Sequence, residues 1–175
     1  LPAGAAILTY IYSKVMGRAM TAQLRIAMKA SPATPQREIR TMLIAAGELG
    51  LPPDAASTTL EVPFTAPQPL TLVAVRPIMR WRGRSLSLDQ IHPDGPEPLL
   101  TLDRYEPRWL LRYPFPDEPT LPAGTRLALR ATFDNSPANP ANPDSAMQVS
   151  RGFGYFDDTL MLAIEHAVPI THQSP

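Results

Sequence analysis

The sequence predicts an all-β protein, an antiparallel jelly-roll-like sandwich of roughly nine to eleven short strands. Three observations carry that expectation. Apolar residues alternate with polar ones in several windows, as at Leu127, Leu129, Ala131 and Phe133, which turns one face of each strand toward a core. The 175 residues include 22 prolines. Proline lacks an amide N–H and fixes φ, so this density leaves few windows long enough for a helix. From Leu60 onward, apolar runs recur at the short spacing of a sandwich, divided by Pro- and Gly-containing turns.

Taken in order, residues 7–12 read as a first strand with Ile7, Thr9 and Ile11 on one face. Gly17 marks a turn, and Leu24, Ile26 and Met28 alternate along a second strand before Ser31-Pro32-Ala33-Thr34-Pro35 breaks the pattern. Ile39–Ala46 is read as a strand, because Gly47, Gly50 and Pro52-Pro53 stop it too early for a helix. Leu60–Thr65, Leu70–Arg76, Arg84–Ile91, Leu99–Leu102, Trp109–Tyr113, Arg126–Phe133 and Thr159–Ala167 follow as strands. His92-Pro93-Asp94-Gly95-Pro96 is a hairpin turn. The tetrapeptide Leu1-Pro2-Ala3-Gly4 returns as Leu121-Pro122-Ala123-Gly124, each copy leading into an alternating strand. Residues 1–45 are accordingly expected to end a first β-sandwich domain, residues 46–170 to form a second, and 171–175 to be a tail.

Composition removes several function classes. Sixteen basic side chains balance sixteen acidic ones, so no net field attracts nucleic acid or an anionic membrane. The absence of cysteine excludes disulfides, thiolate metal sites, iron–sulfur clusters, covalently attached haem and cysteine nucleophiles within this chain. No run of 18 apolar residues spans a membrane as a helix. The sequence starts at Leu1 rather than Met, which suggests a processed or partial product. Leu1–Tyr12 lacks the basic start and cleavage pattern of a signal peptide.

A series of motifs then carries a resemblance. Leu-Pro-Ala-Gly plus strand is followed by Leu-Pro-Pro near residue 51, Val75-Arg76-Pro77-Ile78-Met79 with Gly83-Arg84, and Pro93-Asp94-Gly95. Leu121-Pro122-Ala123-Gly124-Thr125-Arg126-Leu127, Phe133-Asp134-Asn135-Ser136, Asn139-Pro140 with Asn142-Pro143-Asp144, and Asp157-Asp158 complete it. This order resembles the bacterial relatives of the copper type II, ascorbate-dependent monooxygenases, the family of peptidylglycine alpha-hydroxylating monooxygenase. The resemblance implies two jelly-roll-like sandwiches facing each other across a cleft, each holding one copper, in an extracytoplasmic, for example periplasmic, protein.

In that family a His-x-His pair on one strand and a Met on another hold the catalytic copper. Alternate strand residues share a face, so two imidazoles meet one metal, and the thioether favours Cu(I). Carried over, the His-x-His positions fall on Ile78 and Arg80, the Met position on Thr159, and a first-domain His position on Ile11. All four differ from the family's ligands, so neither a cofactor nor a metal site is expected.

The remaining candidates are weighed on their own chemistry. His92, His166 and His172 read as exposed or locally bonded histidines. Asp134, Asn135, Asn139, Asn142 and Asp144 crowd one loop with oxygen donors, which suit either turns or a hard cation. Gly152-Phe153-Gly154 lacks the strand–helix context of a nucleotide loop. Asp157 and Asp158 are adjacent and face opposite ways. Two Arg/aromatic clusters remain as interface candidates, one of Arg80, Trp81, Arg82 and Arg84, the other of Arg108, Trp109 and Arg112. The expected function is therefore a non-catalytic structural or interaction subunit, with protein partners and by analogy a redox or cytochrome-containing assembly. Two readings stand beside it. One is a copper-dependent monooxygenase or oxidoreductase using displaced ligands (Met79, Met161, His166) or ligands upstream of Leu1. The other is a sandwich that binds glycan or peptide.

Overall fold

The computed structural model describes residues 33–170 together with residues 8, 17, 21 and 23–28. Eleven strands and no helix occur among the described residues: β1 Arg37–Ala45, β2 Gly50–Leu51, β3 Thr58–Thr65, β4 Leu70–Ile78, β5 Gly83–His92, β6 Gly95–Leu102, β7 Tyr113–Pro114, β8 Thr120–Leu121, β9 Arg126–Phe133, β10 Val149–Ser150 and β11 Met161–Pro169. One sheet has the order β1-β11-β4-β7, with β8 also paired to β4; the other has the order β3-β9-β5-β6. A short β10-β2 pair stands apart from both. All strand pairs are antiparallel.

Alternation explains how the sheets meet. On β9, Leu127, Leu129, Ala131 and Phe133 are buried while Arg130 is exposed. They join Leu86 and Leu88 of β5, Leu70 and Leu72 of β4, and Leu162 and Ile164 of β11 in one apolar core. Each fully buried Leu or Phe contributes about 1.5–3 kcal/mol relative to exposure, so this face holds the sandwich together. The β5–β6 hairpin turns through Pro93-Asp94, as the sequence indicates, and its positive φ of 137° sits on Gly95.

One irregularity decides which side chains face the core in the second half of β4. Glu165 faces Ala74 while His166 faces Leu72, so Val73 is an extra residue on β4. Before it, Leu70 and Leu72 point into the core; after it, Val75 and Met79 do. The inserted residue has changed the phase of the strand, and Ile78 and Arg80 are left on the side away from Met79.

Three sequence expectations are corrected. Residues 23–28 form no strand, and Leu24, Ile26 and Met28 are 53%, 58% and 77% exposed; alternation alone, with no partner strand among the described residues, does not make a strand. Trp109–Tyr113 is also not a strand, since only Tyr113 pairs, opposite Val75, and Trp109 to Leu111 are exposed. The compact unit containing the sandwich starts at Pro35 and not at residue 46, because β1 pairs with β11 along its whole length. The strand expected at 7–12 falls, apart from Leu8, outside the described residues, as do Ile11, His172, the 171–175 tail and the first Leu-Pro-Ala-Gly.

Candidate functional site

Beyond Ile78 the chain leaves β4 and turns through Met79, Arg80, Trp81 and Arg82 into β5. A turn that buries its backbone must satisfy each N–H and C=O. Here two side chains do most of that. The Tyr105 hydroxyl donates to the Met79 carbonyl and accepts from the Met79 N–H, both at 3.0 Å. The Asp158 carboxylate accepts from the N–H groups of Arg80 at 2.8 Å, Arg82 at 2.9 Å and Thr159 at 2.8 Å. Burial pushes the Tyr105 hydroxyl above its usual pKa. Burial also raises the Asp158 carboxyl, against the downward pull of those three N–H donors and of Arg82. Gly83 closes the turn: a Cβ there would lie 2.7 Å from that of Met79.

Arg82 is the hub. Its side chain is fully buried, and its planar fork donates to three separate segments. Nε reaches Asn135 Oδ1 at 2.7 Å, Nη1 the Phe156 carbonyl at 3.0 Å, and Nη2 the Asp144 carbonyl at 3.1 Å. Burial lowers the guanidinium pKa, and the negative Asp158, Asp144 and Asp157 counter it only in part. Asn135 in turn donates to the carbonyls of Pro52 at 2.8 Å and Met147 at 3.0 Å. The placement of Arg82 corrects the expectation that it belongs to an exposed interface cluster.

The oxygen-rich loop after β9 is committed to turns. Side-chain oxygens of Asp134, Ser136, Asn139, Asn142 and Asp144 each accept the N–H two residues on, the local motif these short polar residues favour. Burial raises Asp134, but hydrogen bonds from Ser136 and Arg84 outweigh it and leave the carboxyl below its usual range. Arg84 donates to that carboxylate through Nε at 3.0 Å and Nη2 at 2.5 Å.

The positions matched to the copper ligands do not fit that metal. Ile78 carries no donor atom. Arg80 is a cation whose Nη1 donates to the Phe153 carbonyl at 2.6 Å. Thr159 is a buried hydroxyl, a hard and weak donor for Cu(I). Nor are Met79, Met161 and His166 brought together. Met161 faces Ile78, and His166 lies five residues further along β11, about 16 Å at strand rise, buried inside the sandwich with no hydrogen bond to Nδ1. No three of His, Cys, Asp and Glu cluster to hold a metal among the described residues. His92 sits on the β5–β6 hairpin beside Glu97, at 3.1 Å. Asp157 and Asp158 diverge, Asp157 accepting the Gly154 N–H at 2.9 Å.

What gathers on the outside of the turn is an apolar, arginine-edged surface. A cleft of about 280 Å³ is lined by Ile78, Arg80, Trp81, Pro107, Leu110 and Phe153 together with Met79. Tyr155 extends it, 6.3 Å from Trp81 and 5.1 Å from Phe156 between ring centroids. Trp109, Leu110, Phe153 and Tyr155 are all more than half exposed. Arg84 and Arg108 line an adjoining hollow with Trp81, so the two sequence clusters share one surface. Arg112 stands apart, paired with Glu165 at 2.8 Å. Sequence reasoning missed Phe153, Tyr155 and Phe156; the signal was three aromatics in four positions inside a glycine-containing loop, where no strand can bury them. A scan against protein-family models and a search of curated proteins return no match for this chain.

Proposed function

We propose that this chain is a non-catalytic interaction subunit on a copper-monooxygenase-like scaffold, working within an extracytoplasmic assembly, with redox proteins as the partner class. The observation that carries the reading is the exposed surface of Leu110, Phe153 and Tyr155 around the half-buried Trp81. Contiguous aromatic surface edged by arginine is what buried interface centres are made of. Beneath it, the groups at the family's ligand positions serve the turn: Arg80 and Thr159 donate their N–H groups to Asp158.

Two measurements test the proposal. Copper reconstitution followed by dialysis is expected to leave no stoichiometric metal; one tightly held copper with ascorbate-dependent oxygen consumption overturns it. Leu110→Asp with Phe153→Ser, made in the native host on a tagged chain, is expected to release the proteins that the wild-type chain retains. Retention equal to wild type overturns the assignment of this surface.

A further inference from the structure

The interior edge of β1 is hydrogen-bonded to β11, but among the described residues no strand pairs with its outer edge. An open edge invites another strand, and proteins commonly blunt such edges with proline or brevity. The other edges of the sandwich follow that rule: β3 carries Pro63, β6 carries Pro96 and Pro98, and β7 and β8 have two residues each. β1 has nine residues and no proline.

The register shows which groups the open edge offers. Ala46 N–H donates to the Leu160 carbonyl and Ile170 N–H to the Gln36 carbonyl, both at 3.0 Å. Even-numbered residues therefore bond to β11, and by the alternation of an antiparallel ladder Arg37, Ile39, Thr41, Leu43 and Ala45 turn their N–H and C=O outward. Ile39 and Leu43, on the same face, are 51% and 58% exposed. They lie symmetrically about Thr41.

We propose that β1 is a self-pairing edge through which two copies of this chain join antiparallel about a two-fold axis at Thr41. In that register Thr41 faces Thr41 of the second copy, Ile39 faces Leu43, and Arg37 faces Ala45. Every outward-turned residue meets another, giving roughly ten main-chain hydrogen bonds at two per facing pair. The two exposed apolar side chains cover each other, a cross-strand pair of the stabilising kind. Arg37, Glu38 and Arg40 each face an uncharged residue, so no like charges are opposed. A surface that is its own complement closes as a dimer.

The absence of cysteine makes the test clean. Thr41→Cys places two thiols on facing residues, whose Cα atoms are about 5.5 Å apart in a hydrogen-bonded pair, within disulfide reach. Ile39→Cys places them about 13 Å apart, four residues out of line. Under mild oxidation Thr41→Cys is expected to cross-link at least tenfold faster than Ile39→Cys. Sedimentation of the wild-type chain is expected to show a concentration-dependent dimer. Thr41→Pro removes an outward N–H without touching the β11 ladder, and Leu43→Lys places a charge against Ile39; both are expected to abolish the dimer. A wild-type chain that stays monomeric at every concentration overturns the proposal. So do equal cross-linking rates, or a soluble, folded Thr41→Pro chain that still dimerises. Should Thr41→Pro not fold, the cross-linking comparison decides alone.

Discussion

Asp158 accepts the main-chain N–H of Arg82 at 2.9 Å across 76 residues of sequence, and Arg82 returns the contact by donating to the carbonyl of Phe156 at 3.0 Å. Each segment thus immobilises the other. The exposed aromatics of residues 153–156 are presented by this clamp rather than by a strand.

Replacing the fork should therefore undo the surface as well as the interior. Arg82→Lys keeps the charge but cannot reach three acceptors in three segments, and is expected to cost about 2–4 kcal/mol. Urea denaturation measures the loss. A variant within 0.5 kcal/mol of wild type, a margin typical of roughly neutral surface changes, would show that the hub is dispensable.

The buried carboxylates of Asp158 and Asp134 are expected to give opposite pH signatures. Asp158 has its folded pKa raised by burial, so its contribution is fully present below the ordinary value of 3.8 and is lost as pH rises through the folded value. The stability of wild type relative to Asp158→Asn should fall over that window. Asp134 is held below 3.8 by Ser136 and Arg84, which outweigh its burial. Its contribution is present above 3.8 and is lost as pH falls through the lower folded value, so the wild-type margin over Asp134→Asn should shrink on acidification. Chemical denaturation from pH 3 to pH 7, a range set by the ordinary carboxylate pKa of about 4, reads both slopes.

Tyr105→Phe removes one oxygen and strands two backbone groups, the N–H and the C=O of Met79. Unmet buried polar groups cost about 1–3 kcal/mol each. A loss of about 2 kcal/mol in thermal or urea unfolding is expected, far more than an exposed tyrosine would give.

Gly152 and Gly154 enclose the Asp157 carboxylate, and a Cβ on Gly152 would fall 2.2 Å from Asp157 Oδ2. Gly152→Ala is expected to destabilise by about 1–2 kcal/mol, and Asp157→Ala to relieve most of that in the double variant. Additive effects in the cycle would mean that the crowding is not what requires glycine.

The sequence made the alternating strands legible because one wet and one dry face leave a period of two. β9 is the clearest case, with Leu127, Leu129, Ala131 and Phe133 buried and Arg130 exposed among them. The Asp134–Asp144 loop was legible too, since short polar side chains that cap their own turns do so locally. Arg82 was not. An arginine between a tryptophan and a glycine looks like surface, and only the meeting of residues 135, 144 and 156 around it creates the acceptors that permit its burial. The apolar run Trp109–Tyr113 misled for the converse reason: its composition suits a strand, but continuing the Val75–Tyr113 register would set Leu111 against Pro77, which has no N–H to give the ladder.

Val73 gives this end of the sheet an unusual genetic tolerance. Removing that single codon would restore plain alternation along β4 and keep Val75 and Pro77 toward the interior, opposite Ile164 and Leu162, with Arg76 and Ile78 outside. An in-frame deletion here leaves a core-facing valine and its charged neighbour in their places, whereas the same loss from a regular strand exchanges the two faces beyond it.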